Sequence, residues 1–195
     1  GLAEHTPGFS REESDPSETP MALRILRLAE RIPPLAGGKE IHVAELTRVQ
    51  VELGHKVNLL YRVGDSHALN CFSRQIALPP PFTGLSGLKG TAFFARKAMR
   101  STGVLKYADI VHAHGDLAEA WFSAHYAQRA SIPVVLTVHG QLNPRFRKIS
   151  RRAFAKVDAF IALGDTVCQD LLDCGVHSER ITTMSSGLNM DMLRS

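Results

Sequence analysis

The chain contains 195 residues, 44% of them hydrophobic and 22% charged, which is the composition of one ordinary globular domain. No apolar run approaches the roughly 20 residues that cross a bilayer, and no signal-peptide pattern is recognised at the start. The three cysteines, at positions 71, 168 and 174, have no metal-ligand spacing and cannot all pair. We therefore expect a reduced protein of the cytoplasm.

The net charge of +4 conceals an asymmetry along the chain. Of its 23 bases and 19 acids, one base and five acids fall in residues 1–20, so residues 21–195 carry 22 bases, 14 acids and a net charge of +8. This basic part favours anionic partners such as phosphates, acidic lipid or nucleic acid. Residues 1–20 are rich in Ser, Thr, Pro and Glu, and we interpret them as a disordered head, either natural or added for expression.

Short apolar runs alternate with helical patterns from residue 21 onwards. Strands are predicted at residues 23–28, 56–61, 109–113, 133–138, 158–163 and 180–183, with a weaker one at 75–78. Helices are predicted at residues 41–53, 85–103, 116–129 and 166–173, and a basic helix precedes residue 158. Near-continuous apolar strands separated by helices are typical of parallel strands buried on both faces. The pattern predicts an α/β fold with a doubly wound, Rossmann-like parallel sheet of six or seven strands.

Ligands of such sheets bind at the carboxyl ends of the strands, near the point where the strand order reverses. Four segments of the chain are predicted to lie there. They are Gly37-Gly38, His114-Gly115, His139-Gly140 and Ser-Gly-Leu-Asn at 186–189. We expect the functional residues to be found among them.

The order and spacing of these segments carry a resemblance to a known family. Residues 33–46 read Pro-Pro-Leu-Ala-Gly-Gly-Lys-Glu-Ile-His-Val-Ala-Glu-Leu, and Leu-Gly-His-Lys-Val follows at 53–57. Asp-Ile-Val-His-Ala-His-Gly stands at 109–115 and Pro-Val-Val-Leu-Thr-Val-His-Gly at 133–140. With residues 159–191, they resemble the retaining GT-B glycosyltransferases of the large family that includes sucrose synthases and bacterial mannosyl- and glucosyltransferases. The family usually has Asn-Gly-Val-Asp where this chain has Ser-Gly-Leu-Asn.

The resemblance implies that residues 21–195 form the N-terminal, acceptor-side domain of a GT-B fold. The C-terminal donor-binding domain, with its Glu-rich motif, is expected to be absent from this chain. We therefore expect the chain alone to be inactive, since the nucleotide-sugar donor would be held mainly by that missing domain.

Gly37 and Gly38 follow the first predicted strand and open a helix. Glycines let the backbone approach a phosphate closely, and helix N-termini favour negative charge, whereas a plain tight turn is the alternative. The resemblance implies contact with the donor diphosphate. The three-glycine dinucleotide fingerprint is missing, which disfavours a nicotinamide site.

His139 ends a predicted strand beside Gly140, and the resemblance implies that it is catalytic, a contact to the donor sugar or acceptor in the transition state. The alternative is a strand-end histidine satisfied by backbone. We assign His112 and His114 to opposite faces of their strand, His112 to the core and His114 to the site. His114, Asp116 and Gly140 are the predicted acceptor contacts. No carboxylate or cysteine has ligand spacing to these histidines, so no metal is expected.

Two basic stretches remain, around residues 89–106 and 145–152. In the first, Phe93, Arg96, Lys97 and Arg100 are predicted to face an anionic membrane, with bases among the headgroups and aromatics below. The alternative places Phe93 and Phe94 in the core with the bases solvated. The chain shows no recognised nucleic-acid module.

The resemblance, together with these observations, implies the acceptor-binding domain of a retaining glycosyltransferase that needs neither metal nor cofactor. Its partners would be a nucleotide-sugar donor and a sugar or lipid-linked acceptor, and its product a cell-surface polysaccharide or glycolipid. We expect it in the cytoplasm, attached peripherally to the inner membrane face. Two alternatives share the fold: a GT-B nucleotide-sugar epimerase and a binding domain without turnover.

Overall fold

A computed structural model describes residues 21–35, 37–101 and 103–184 of the chain. The predicted disordered head and the segment 186–189 lie outside the described residues. None of the helices in the described part is long and apolar enough to cross a membrane.

The described residues form seven strands and five α-helices. The strands are β1 (Arg24–Ala29), β2 (Lys56–Tyr61), β3 (Phe72–Gln75), β4 (Ile110–His114), β5 (Val134–Val138), β6 (Ala159–Leu163) and β7 (Ile181–Met184). The helices are α1 (Gly38–Glu52), α2 (Gly87–Arg100), α3 (Leu117–Arg129), α4 (Arg147–Phe154) and α5 (Asp165–Asp173).

All seven strands are parallel and lie in the order β3-β2-β1-β4-β5-β6-β7. The order reverses between β1 and β4, which defines the switch point where a ligand is expected. The predicted doubly wound sheet is therefore confirmed.

One predicted strand is misplaced. The pattern at 75–78 marks Ile76 and Leu78, which are buried, but the paired residues are Phe72–Gln75, all exposed. An edge strand with exposed side chains gives no apolar signal, so hydropathy detected the buried segment that follows it.

The helices cover the two faces of the sheet with separate cores. Residues of α2, α3, α4 and α5 join one large cluster, which includes Leu60 of β2. The neighbouring residues Leu59 and Tyr61 belong to a smaller cluster with Val43 of α1. Because successive strand residues point to opposite faces, α1 lies on the face opposite to the other four helices.

Two aspartates, each immediately preceding a strand, bind backbone of the neighbouring strand. Asp109 accepts the Arg24 backbone N–H at 2.8 Å and the Arg24 guanidinium Nε–H at 3.1 Å. Asp158 accepts the backbone N–H of Val134 at 2.8 Å. Hydrogen bonds from Arg24 lower the pKa of Asp109 to about 2, so this carboxylate stays charged. Both contacts lie at the amino ends of the strands, opposite the predicted site.

Candidate functional site

Four histidines meet at the switch point. His112 and His114 lie on β4, His139 directly follows β5, and His42 lies in the first turns of α1. His114 Nδ1 and His139 Nε2 are 3.1 Å apart, within hydrogen-bond distance. The His42 ring meets the His139 ring edge-on, with 5.1 Å between centroids, and the His114 ring at 6.0 Å. We call His42, His112, His114 and His139 the histidine cluster.

The assignment of His112 and His114 to opposite faces of the strand was wrong. Residues two apart on a strand point to the same side, and the two rings stack with centroids 4.4 Å apart. His112 is buried, as predicted, and its Nε2 lies 2.8 Å from Thr137 Oγ1.

Arg27, a buried arginine of β1, lies beside the histidine cluster. Arg27 is fully buried and has no carboxylate partner among the described residues. It donates to Thr47 Oγ1 at 2.6 Å and to Gln50 Oε1, and it lies 3.4 Å from His112 Nδ1. Burial lowers the pKa of Arg27 to about 10, which still leaves it charged at neutral pH. The cluster therefore sits above a fixed positive charge.

Burial keeps the histidines neutral. It lowers the pKa of His112 to about 3, an effect to which Arg27 adds. Burial and the charge of Lys39 likewise lower the pKa of His139 to about 3. The pKa of His114 lies well below its ordinary value, again mainly through burial, and that of His42 is also lowered. At physiological pH these rings act as hydrogen-bonding groups without charge.

Gly37 and Gly38 lie at the N-terminus of α1, one turn before His42. Gly37 is the N-cap, and its carbonyl accepts the Ile41 N–H at 3.1 Å. A Cβ at Gly37 would lie 2.1 Å from Glu40 Oε2, whereas a Cβ at Gly38 would meet nothing within 4 Å. The backbone at Gly38 therefore borders open space beside the histidine cluster, as a phosphate-binding turn requires.

Glu119 of α3 lies between Lys39 of α1 and Gly115, the residue that follows β4. This buried carboxylate lies 3.7 Å from Lys39 Nζ and accepts the backbone N–H of Asp116 at 3.2 Å. A Cβ at Gly115 would lie 2.1 Å from the Glu119 carboxyl carbon, so an alanine there would have to displace this carboxylate. Burial raises the pKa of Glu119.

A cavity of about 380 Å³ lies where the N-terminal ends of α2 and α3 meet α4. Its walls combine apolar side chains with several polar ones. They are formed by Gly87, Leu88, Thr91, Asp116, Leu117, Leu142, Asn143, Phe146 and Ser150. Of the predicted acceptor residues, Asp116 lines this cavity. Gly140 is exposed, and a Cβ added there would meet nothing within 4 Å.

The structure thus brings His114 and His139 together and connects them through His42 to Gly37 and Gly38. The His114 side chain has no exposed surface, so it lies behind His139 instead of at the surface where we expected an acceptor. Sequence reasoning missed His42, Arg27, Lys39 and Glu119. Within residues 21–184, so far as they are described, no group of three or more His, Cys, Asp or Glu side chains could hold a metal ion.

The seven-stranded parallel sheet and its strand order define the fold class, because solved proteins of the GT-B type share this architecture. Alr3699/HepE from Anabaena, solved in complex with UDP-glucose, is similar with a TM-score of 0.64 and 14% identity, over 87% of this chain and 45% of that one. A glycosyltransferase from Rickettsia africae gives 0.60 and 19% over 87% and 44%. The UDP-GlcNAc 2-epimerase from Neisseria meningitidis, bound to UDP-GlcNAc, gives 0.59 and 13% over 88% and 49%.

The family follows from the sequence itself. Residues 36–192 match the model of Glycosyltransferase Family 4, and the chain belongs to this family. No curated protein matches it. The chain spans less than half the length of the three solved chains. The predicted GT-B relationship is confirmed. Because the identities are only 13 to 19%, the likeness to the solved structures shows the shared fold and nothing further.

Proposed function

We propose that this chain is the acceptor-side domain of a retaining, metal-independent glycosyltransferase that uses a nucleotide-sugar donor. The cytoplasmic enzyme would build a cell-surface polysaccharide or glycolipid. One observation carries the proposal: a half-buried, uncharged His139 stands at the switch point, held by His114 and next to the open N-terminus of α1. Membership of the glycosyltransferase family supports it.

The hydrogen bond between His114 and His139 indicates which nitrogen of each ring carries the proton. His114 Nε2 is buried and has no partner among the described residues. Orphaned buried N–H groups are rarer in proteins than unsatisfied acceptors, so we place the His114 proton on Nδ1, where it donates to His139 Nε2. A neutral His139 then carries its own proton on Nδ1.

This tautomer gives His139 a specific task. Its Nε2 is occupied by His114, and Nδ1 makes no hydrogen bond to the described residues. The Nδ1–H is thus available to a sugar hydroxyl or a departing phosphate oxygen. Removing one such preorganised donor typically costs about 3 kcal/mol of transition-state stabilisation. In this proposal Gly37 and Gly38 present the α1 N-terminus to the donor diphosphate.

The cavity beside Asp116 is the proposed acceptor site. Its Leu88, Leu117, Leu142 and Phe146 walls suit an apolar portion, and Asp116 and Asn143 suit sugar hydroxyls. An acceptor with both parts, such as a lipid-linked sugar, fits this lining. His114 would act through His139 as a positioning residue, and Gly140 would leave room for the acceptor.

A nucleotide-sugar epimerase is the second candidate. The epimerase from Neisseria meningitidis matches the fold about as well as the glycosyltransferase from Rickettsia africae. In addition, Glu119 places a buried carboxyl group between Gly115 and Lys39, close to the histidine cluster. Sequence reasoning found no such carboxylate. The family match still favours transfer to an acceptor.

The test uses the enzyme that contains this domain, incubated with UDP- and GDP-sugars with and without a lipid-linked sugar acceptor. Acceptor-dependent nucleotide release with retained anomeric configuration, read by NMR, is the expected result. A changed sugar configuration on the nucleotide without any acceptor would identify the epimerase instead. Binding without either reaction would identify a binding domain.

The isolated chain provides a second measurement. Calorimetric titration with the same nucleotide sugars should show no binding tighter than millimolar. In this proposal the base and ribose of the donor are held mainly by the second domain of the GT-B fold, which the isolated chain does not supply. Micromolar affinity would place the donor site in this domain and reverse the assignment of the two halves.

A further inference from the structure

The helices of this domain are strongly divided by charge. Together α2 and α4 contain eight bases and no acid. Between them, α3 contains Arg129 and a single acid, Glu119, which is buried. The remaining two helices, α1 and α5, contain two bases and six acids. The positive charge of the folded part is thus concentrated on α2 and α4.

These three helices form one continuous surface, since α3 packs against both α2 and α4. Lys156, just after α4, places its ammonium 5.6 Å from the centre of the Trp121 ring of α3, and its carbonyl accepts from Gln128. We call the exposed side of α2, α3 and α4, with Lys156, the cationic helical layer.

Most bases of this layer have no counter-ion. Arg147 pairs with Asp173 at 3.0 Å. The other bases are exposed and lie beyond 4.0 Å from every carboxylate in the described part of the chain. They are Lys89, Arg96, Lys97, Arg100, Arg129, Lys148, Arg151, Arg152 and Lys156. A field of this size attracts an extended anionic surface.

Large apolar side chains are exposed among these bases. Phe94 is fully buried, but Phe93 is 41% exposed and stacks on Phe82 with ring centroids 5.0 Å apart. Trp121 and Ile149 are exposed on α3 and α4. Of the two sequence interpretations, the core one holds for Phe94, and Phe93 lies on the surface.

We propose that the cationic helical layer docks this domain on an anionic lipid bilayer. The bases would lie among the headgroups, where each adds to the attraction, and Phe93, Trp121 and Ile149 would reach the apolar boundary below. A nucleic acid would be attracted by the same charges, but it offers no apolar phase for these side chains. The combination of bases and exposed apolar groups therefore favours lipid.

The position of the cavity beside Asp116 agrees with this orientation. Leu88 of α2 lines that cavity and is also exposed at the end of the cationic helical layer. A domain docked through this layer would bring the cavity close to the lipid surface. The conclusion that a lipid-linked acceptor enters from that surface rests on the proposed function, whereas the docking itself does not.

Vesicle co-sedimentation of this chain tests the docking without any turnover. We expect binding to phosphatidylcholine vesicles containing 40% phosphatidylglycerol, at least tenfold weaker binding to pure phosphatidylcholine, and release in 0.5 M NaCl. The double variants Arg96→Ala/Arg100→Ala and Lys148→Ala/Arg152→Ala should each weaken binding at least fivefold.

A matched control removes two exposed bases from outside the layer, Lys56→Ala/Arg74→Ala, and should change binding less than twofold. Phe93→Ala should weaken vesicle binding several-fold but leave the retention of a DNA duplex unchanged. Equal effects of the control and the layer variants would overturn the proposal, as would a Phe93→Ala protein that binds vesicles normally. Thermal melts verify that every variant is folded. Vesicle binding can be absent while sugar transfer proceeds, so failure of this proposal is distinguishable from failure of the proposed function.

Discussion

The histidine cluster and the cationic helical layer are both rich in nitrogen-bearing side chains, yet they differ in every physical respect. The histidines are buried or half-buried and uncharged, and their rings contact one another. The bases of the layer are exposed, charged and mostly without partners among the described residues. Burial is the cause of the difference, since it lowers the pKa of an imidazole while solvent preserves the charge of a surface arginine.

The contrast separates two tasks. Groups that must present one defined hydrogen-bond donor need fixed neighbours and a fixed proton, which a buried cluster provides. Groups that hold the domain to a charged surface need charge and mobility, which an exposed layer provides. Substitutions in the histidine cluster should therefore alter the reaction rate and the stability of the domain in acid. Substitutions in the cationic helical layer should alter its attachment to the membrane.

The sharpest test of the cluster is His139→Ala in the enzyme that contains this domain. We expect kcat to fall at least a hundredfold, about 3 kcal/mol of transition-state stabilisation, because a donor aimed at developing charge is lost. Steady-state kinetics and thermal melts on the same protein are required. A melting temperature lowered by several degrees with near-normal kcat would show that His139 is structural.

Two further variants test the assigned tautomer. The amide nitrogen of asparagine occupies a position near Nδ1 of histidine, and that of glutamine a position near Nε2. His139→Asn should therefore retain more activity than His139→Gln, since Nδ1 is the proposed donor. The reverse order would show that His139 acts through Nε2 and that the hydrogen bond to His114 breaks on substrate binding.

Acid stability tests the neutral state of the cluster. His112, His114 and His139 have folded pKa values below the ordinary value of about 6.5, so the unfolded state binds more protons as the pH falls below 6.5. The free energy of unfolding should thus decrease on acidification from pH 7 to pH 5, by up to roughly 2 kcal/mol for each histidine that stays neutral in the folded state. Urea denaturation across this range measures it.

The control for this prediction is an exposed histidine. His114→Gln should flatten the pH dependence, whereas His67→Gln should leave it unchanged, since the His67 side chain is 96% exposed. Glu119 has the opposite sign, because its raised pKa favours the folded state in acid, and it softens the decrease near pH 5. A free energy of unfolding that is constant from pH 7 to pH 5 would contradict the neutral cluster.

Substitutions at two glycines should have the smallest effect on stability. They compare Gly115, which packs against a side chain, with Gly140, which faces open space. Gly115→Ala should destabilise the domain by about 1–3 kcal/mol, because the new methyl would meet the Glu119 carboxylate, which Lys39 and the Asp116 N–H hold in place. Gly140→Ala should change stability by less than about 0.5 kcal/mol, since it faces open space. Denaturation curves of the two variants decide.

The double variant Gly115→Ala/Glu119→Ala tests the cause. If the methyl clashes with the carboxylate, adding Gly115→Ala to the Glu119→Ala background should cost clearly less than in the parent chain. Additive costs would show that the backbone at Gly115, and not the contact with Glu119, determines the effect.

Periodicity predicted most of the fold because five of the seven strands, β1, β2, β4, β5 and β6, are largely apolar runs separated by helical patterns. It failed at β3, whose side chains are exposed, and it gave no sign that Arg27 would be buried in β1. A charged residue inside an apolar run is interpreted as a surface residue, whereas the polar partners Thr47 and Gln50 of α1 explain the burial of Arg27.

The site was predicted less completely, for a topological reason. His139 and His114 stand at strand ends, where the switch-point rule finds them. His42 lies within α1, and its contact with His139 depends on how that helix crosses the sheet, which spacing in the sequence does not encode. The face assignment of His112 and His114 failed for a simpler reason, since the period of two on a strand places them together.

The two aspartates that bind neighbouring strands have a consequence for how this domain can change. Asp109 and Asp158 fix the register of β4 on β1 and of β6 on β5 at the amino ends of the strands. The carboxyl ends of the strands, near which the histidine cluster and the cavity beside Asp116 lie, contribute nothing to either contact. Insertions and substitutions at those ends can therefore change the proposed acceptor site while the alignment of the sheet stays the same.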